Sequence, residues 1–334
     1  MDPFILMIIA IIVALIFDMM NGFHDTANAV ATVIYTKALP PYIAIGMAAI
    51  MNMIGPFLLG TAVAKVIATS IIPSEHLTIA IVIGALMGAI FWDLVTWYYG
   101  LPVSSSHALI GGLVGSGLAA IGVSGIEWSG LISIILGLLI SPIVGVILGL
   151  LFMYLIGRFI FSRIDRKTAN SYFKKIQILS SAAVSLTHGS NDAQKTMGIV
   201  AMFVAVTNGT GTPIIQPWII LICAGAIGLG TALGGWRIIR TLGERIGKEE
   251  LSPSQGFAAE TSTAITIAAG SYLGLPISTT HVISSSIVGT VMVGGTGVLN
   301  KGVVLNILTA WLLTIPIAAI AAVLSYHIVI MVGL

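Results

Sequence analysis

Two aspartates and two hydroxyl triplets recur as pairs in an otherwise apolar chain. Asp25 closes the phrase Gly22-Phe23-His24-Asp25, and Asp192 closes Gly189-Ser190-Asn191-Asp192. Ser104, Ser105 and Ser106 stand between Gly100-Leu101-Pro102-Val103 and His107; the phrase returns 174 residues later as Gly274-Leu275-Pro276-Ile277-Ser278-Thr279-Thr280-His281. A carboxylate with amide and hydroxyl oxygens nearby, here from Asn21, Asn28, Thr26, Asn191 or Gln194, is a hard-oxygen environment suited to a small cation. A run of hydroxyls at a helix start suits a small tetrahedral anion, because free backbone amides and O–H donors point the same way. A carboxylate would repel that anion unless a cation lay between them.

Each of these residues also has a plainer reading. An isolated serine triplet serves helix packing in a membrane, but duplication with Gly-Leu-Pro before it and His after it favours binding. His107 and His281 are expected to brace the tips by bonding backbone. Asp192 could pair with Lys195 three residues on, or Lys195 could face the anion. Glu260, in a stretch free of other charge, could hold a cation, carry a proton or simply start a helix. Asp93, among Trp92, Trp97, Tyr98 and Tyr99, is assigned to the rim or to structure, since such aromatics anchor helices at membrane interfaces. Asp18, one turn before Asn21, is left undecided, and the lone Cys223 reads as a small buried hydrophobe.

The elements that must position these groups are membrane helices. Charged residues make up 8% of the 334 residues and hydrophobic ones 57%, and the mean hydropathy is +1.08. A soluble domain carries roughly 25% charged residues, so this composition excludes one, and several runs exceed the ~18 apolar residues of a spanning helix. Only Met1-Asp2-Pro3 precedes the first apolar run, which predicts a permanent helix and no cleaved signal. The net charge of +2 gives no basis for a nucleic-acid partner.

Ten of the fourteen Lys and Arg fall in two groups, Arg158 to Lys175 and Arg237 to Lys248, and the positive-inside rule makes both cytoplasmic. Long runs at 4–35, 42–70 and 129–161 flank a broken segment at 78–122; runs at 176–206, 217–236 and 303–332 flank another at 257–295. Pro102 and Pro276 break those segments, since proline lacks the amide proton and disfavours helix at the residue before it. Each break is either the tip of a re-entrant hairpin or a loop between two spans, and neither adds a net crossing. Each half then crosses an odd number of times, so the halves enter the membrane from opposite sides as inverted repeats. The expected fold is all-α and polytopic: a first transmembrane repeat at 1–161, a cytoplasmic basic linker at 162–175, and a second, inverted repeat at 176–334. Both termini are expected outside, with the loops around Glu75 and Glu127. Lys65 and Lys195 alone do not fit this topology.

At these motifs the chain resembles the inorganic phosphate transporter family, which comprises sodium/phosphate symporters and bacterial low-affinity phosphate permeases. The family signature Gly-Ala-Asn-Asp-Val-Ala-Asn-Ala is similar to Gly22-Phe23-His24-Asp25-Thr26-Ala27-Asn28-Ala29. The stretch Gly189-Ser190-Asn191-Asp192-Ala193-Gln194-Lys195-Thr196-Met197-Gly198 is similar to the prokaryotic form, and Gly274 to His281 matches the second hairpin motif letter for letter. The resemblance spans essentially the whole chain. It implies a transporter and not an enzyme, with sodium as coupling cation, phosphate at the Ser/Thr tips, and a homodimer in the cell membrane. Glu260 matches a glutamate that animal members need for transport. The chain departs from the family at His24, where Asn is usual, and at Asn52, where animal members carry a second glutamate. It also lacks the large central loop of animal members and so looks prokaryotic.

The expectation is therefore sodium-driven phosphate import by alternating access. Ser104, Ser105, Ser106, Ser278, Thr279 and Thr280, with Asn28, Gln194 and Lys195, are expected to hold phosphate. Asp25, Asp192, Asn21, Asn191 and Glu260 are expected to hold sodium. Coupling to protons, or carriage of a neutral metal–phosphate complex, is the nearest rival. An intramembrane hydrolase using Ser105, His107 and an Asp is a distant one, because both halves keep the set and no Gly-x-Ser-x-Gly elbow occurs.

Overall fold

The computed structural model describes residues 2–73, 76–210 and 212–333, so the Glu75 loop lies outside the described residues. Twelve α-helices and no strand occur among those residues, and the two halves repeat one order of elements. A long helix, α1 (Pro3–Tyr35), leads to a bent pair, α2 (Pro41–Ile54) and α3 (Ala62–Thr69). A hairpin follows, α4 (Ile79–Tyr99) and α5 (Ser105–Ile121), and then a long α6 (Trp128–Leu155). The second half runs through α7 (Arg166–Thr207), the bent pair α8 (Pro217–Leu233) and α9 (Trp236–Arg240), the hairpin α10 (Pro253–Tyr272) and α11 (Thr279–Met292), and α12 (Lys301–Met331).

Two of the expected straight runs are not straight. The 42–70 run turns by 75° between α2 and α3, where Gly55-Pro56 removes an amide donor and Gly60 adopts a left-handed φ of 79°. The 217–236 run ends at Leu233; Gly234 and Gly235 then turn the chain by 64° into α9, which carries Arg237 and Arg240. The basic segment 162–175 is helical from Arg166, capped by the Asp165 side chain accepting from the Thr168 amide.

Alternation of long apolar and hairpin elements puts polarity inside and greasy side chains outside. α1, α4, α6 and α12 are long and apolar enough to cross a membrane. Leu136, Ile140 and Ile147 on α6 and Leu312, Ile320 and Leu324 on α12 are exposed, while serines, threonines and acids are buried within. That distribution is stable only where the surroundings are hydrocarbon.

Each hairpin packs on the last helix of the other half. The α4–α5 hairpin lies against α12, and the α10–α11 hairpin against α6. The two halves are thereby interlocked, and the tips are held by scaffolds that neither half supplies alone.

Candidate functional site

Both hairpin tips are made by the same local code. Gly100 and Gly274 end α4 and α10 in the left-handed region, at φ 67° and 69°, which costs glycine little. The Leu101 amide reaches the Thr96 carbonyl and the Gly100 amide the Trp97 carbonyl; Leu275 and Gly274 make the same bonds to Gly270 and Ser271, a Schellman ending in both copies. After the prolines, Ser104 and Ser278 cap the next helices, accepting from the His107 amide at 3.2 Å and the His281 amide at 3.1 Å. The first hydroxyl of each triplet is thus committed to its own helix. The next two are presented at the helix start beside free amides.

The aspartates reach the tips because glycine lets their helices come close. A Cβ on Gly22 would stand 2.3 Å from the Ile227 carbonyl oxygen of α8, and one on Gly189 would stand 2.2 Å from the Asn52 carbonyl oxygen of α2. The glycine of the duplicated Asp motif is therefore a contact to the opposite half's bent pair.

Four elements converge on one buried centre. Asp25 Oδ2 accepts from the Thr280 hydroxyl at 3.1 Å and the Thr279 hydroxyl at 3.4 Å. Asp192 Oδ2 accepts from the same Thr279 hydroxyl at 3.3 Å, so one tip residue bridges both carboxylates. Asn28 donates to Thr280 Oγ1 at 2.9 Å. Lys195 Nζ donates to Asp192 Oδ1, to Ser106 Oγ at 2.5 Å and to the Ile277 carbonyl at 3.3 Å. The tips themselves touch, since Ser106 donates to the Ile277 carbonyl at 3.5 Å.

Sequence reasoning missed His188. Its Nε2 lies 3.3 Å from Asp192 Oδ2 and 3.7 Å from Asp25 Oδ2, while its Nδ1 is 3.1 Å from Asn52 Oδ1. Asn52 in turn donates to Thr231 at 2.8 Å. The signal was present: His188 precedes Asp192 by four residues on one helix, the spacing that puts two side chains on one face. His24 holds Asp25 Oδ1 at 2.8 Å and meets Thr96 Oγ1 at 3.3 Å.

Several expected ligands occupy other places. Gln194 turns away from the tips; its Oε1 accepts from the Val63 amide at 2.9 Å and the Ala64 amide at 3.4 Å, capping α3 beyond the bend. Glu260 belongs to a separate cluster, accepting from Thr32 at 2.5 Å, Gln177 at 2.9 Å and Ser180. Thr32 is seven residues past Asp25 on α1, about 10 Å along the helix at 1.5 Å per residue. Asn191 donates to Ser271 at 2.9 Å. Among the described residues, Asn21 Oδ1, Asn28 Oδ1 and Asn191 Oδ1 are buried with no hydrogen-bond partner, so these oxygens are free to face a cation.

Two expectations are corrected. Asp93 is fully buried, which removes the rim and leaves the structural arm of its assignment, with no partner on either carboxylate oxygen among the described residues; α4 packs inward against α1. Among the described residues, the tip histidines do not bond backbone through their rings. His107 and His281 lie 4.5 Å apart, and His281 stacks on Trp311 at 3.8 Å, so the bracing is ring against ring.

A helical shell with apolar exterior, enclosing paired carboxylates and paired broken hairpins, defines a multi-pass membrane transporter of a small hydrophilic solute. The sequence profile of the phosphate transporter family matches residues 21–169 and 162–322. A protein of Rhizobium meliloti (strain 1021), described as a probable low-affinity inorganic phosphate transporter, is 43% identical over 97% of this chain and 96% of its own length. A Bacillus subtilis (strain 168) protein of the same description is also 43% identical, over 97% of both chains. The solved structure of a sodium-dependent phosphate transporter superposes with a TM-score of 0.90 at 28% identity, covering 98% of this chain and all of the other. The chain belongs to the phosphate transporter family. It is a phosphate transporter and not an enzyme.

Proposed function

We propose that this protein imports inorganic phosphate by symport with sodium, using alternating access of two inverted repeats. The observation that carries the reading is the bridge made by Thr279 and Thr280. Hydroxyls at one hairpin tip bond both Asp25 and Asp192, so anion donors and cation ligands share one buried centre. Cations seated at Asp25 and Asp192, with the unpartnered oxygens of Asn21, Asn28 and Asn191, would neutralise the carboxylates. The Ser105, Ser106, Thr279 and Thr280 hydroxyls and the amides opening α5 and α11 would then take the phosphate oxygens. A divalent anion next to Asp25 and Asp192 is strongly disfavoured in a buried site unless positive charge offsets both carboxylates, and the Lys195 ammonium offsets only one, which is why charge must enter with it. The sodium dependence of the structural neighbour supports sodium as that charge.

The proposed setting is the cell membrane, as a homodimer, with residues 162–175 cytoplasmic and both termini outside. The test is labelled phosphate uptake into proteoliposomes at constant pH, with an inward sodium gradient against potassium. Concentrative uptake only with sodium supports symport, and Asp25→Asn should then abolish it. Normal sodium-dependent uptake by that variant would remove Asp25 from the cation site.

A second reading has its own observation. Ligand atoms of Asp25, His188 and Asp192 all lie within 4.8 Å of one another, and one imidazole with two carboxylates can hold a divalent metal. Uptake in potassium that requires a divalent cation would favour carriage of a neutral metal–phosphate complex.

A further inference from the structure

The duplicated motifs differ at one position that the geometry makes consequential. Asp25 is followed three residues later by Asn28, and Asp192 three residues later by Lys195; both pairs keep the same 167-residue offset. Each lies one helical turn past its aspartate, on the face that meets the tips. Asn28 brings a neutral amide, donating to Thr280 at 2.9 Å. Lys195 brings a full charge. It is the one buried Lys or Arg among the described residues, with 1% of its surface exposed.

The ammonium of Lys195 sits among three oxygens of different kinds: the Asp192 carboxylate, the Ser106 hydroxyl at 2.5 Å and the Ile277 carbonyl at 3.3 Å. A carboxylate, a hydroxyl and a carbonyl freed at a helix break are the donor set that a monovalent cation takes between broken helices. Carbonyl and carboxylate oxygens accept only, and the serine hydroxyl accepts here, so the nitrogen satisfies all three as an ion would. On the first-half side Asp25 has the imidazoles of His24 and His188 and the neutral Asn28, but no lysine or arginine among the described residues.

We propose that Lys195 is a resident counter-ion, its ammonium standing in place of one coupling cation on the second-half side. Each phosphate is then carried with one cation fewer than a symmetric pair of sites would take. The proposal rests on the cation-coupled reading above and narrows it: of the two cations placed there, the one at Asp192 is replaced by the ammonium, which sets the stoichiometry. A fixed charge that stays with the protein returns with the empty carrier, so it adds nothing to the net charge moved per cycle. An ion bound from solution adds one.

The test is the charge moved per phosphate, from transport currents and labelled uptake measured on the same proteoliposomes. Lys195→Asn, which copies the first-half residue, should move one elementary charge more per phosphate than the unaltered protein. Lys195→Arg should keep the original ratio in whatever transport it retains. An unchanged ratio in Lys195→Asn overturns the proposal and leaves Lys195 a structural partner of Asp192. If Lys195→Asn binds phosphate without moving it, equilibrium binding of labelled sodium to the purified, phosphate-saturated protein decides. One more site per chain than in the unaltered protein supports the proposal, and an equal count refutes it; Lys195→Gln serves where the asparagine variant does not fold. Failure of sodium coupling is read separately. If neither protein responds to sodium at fixed pH, the same charge ratio measured under a proton gradient still decides whether Lys195 replaces an ion.

Discussion

Replacing Asp192 by asparagine should destabilise this protein through Lys195, and the size of the loss can be worked from the burial of the pair. Both residues are 1% exposed, and the ammonium bonds the carboxylate, Ser106 and the Ile277 carbonyl. With Asp192→Asn the ammonium keeps two neutral acceptors and loses its counter-charge in a buried site. Breaking a buried pair from one side costs about 3–5 kcal/mol, because the remaining charge is left uncompensated. Taking roughly 2 °C per kcal/mol for a chain of this size, the apparent melting temperature in detergent should fall by about 6–10 °C. Removing both charges in Asp192→Asn/Lys195→Gln should recover more than half of that loss, since neither partner is then left charged and alone. The assay is a thermal melt of the purified single and double variants without phosphate or sodium. If Asp192→Asn melts within a degree of the unaltered protein, or the double variant is as unstable as the sum of the singles, the ammonium is not dependent on that carboxylate.

Three further outcomes follow from contacts elsewhere in the fold. Thr280→Val removes the donor to Asp25 and the acceptor of Asn28, leaving two buried groups short at about 1–3 kcal/mol each; phosphate half-saturation should rise at least ~10-fold, with Thr280→Ser close to the original, as uptake kinetics will show. Gly189→Ala places a Cβ 2.2 Å from the Asn52 carbonyl oxygen, so despite alanine's helix preference of about 1 kcal/mol it should lower folded yield in membranes; Gly46→Ala, with nothing within 4 Å, should not. Glu260→Gln replaces one of the two carboxylate oxygens, which together accept three bonds, with an amide donor, which should cost about 1–3 kcal/mol of stability. Because its cluster lies about 10 Å along α1 from Asp25, the stabilisation that the proposed sodium binding would give in a thermal melt should persist in that variant, and its loss would join Glu260 to the proposed cation site.

Much of the site was legible because it is written twice. Duplication of Gly-Leu-Pro-x-Ser and of the Asp phrase located both tips and both carboxylates, and proline and glycine chemistry located the breaks between α4 and α5 and between α10 and α11. Residues without a copy were placed poorly. Asp93 was read from its aromatic neighbours in sequence as rim or structure, yet its helix turns that carboxylate inward, where it is fully buried. His188 went unnoticed because it lies outside the duplicated phrase, and only the packing of α1 on α7 brings it between two aspartates that are 167 residues apart. The amide of Gln194 was read as a ligand from its place in the motif, but the bend between α2 and α3 offers it two unpaired helix-start amides instead.

The sequence by itself determined the solvent, the elements and the duplicated chemistry. Hydrophobic runs, turn residues and helix caps act over a few neighbours, and such local physics can be read along a chain. The tertiary structure alone decided which groups meet: that each hairpin rests on the other half's last helix, that Thr279 bridges both aspartates, and that Lys195 has a carboxylate, a hydroxyl and a carbonyl around it. Those contacts join residues far apart in the chain through helix crossings, and a crossing is set by side-chain packing between surfaces that no local pattern specifies.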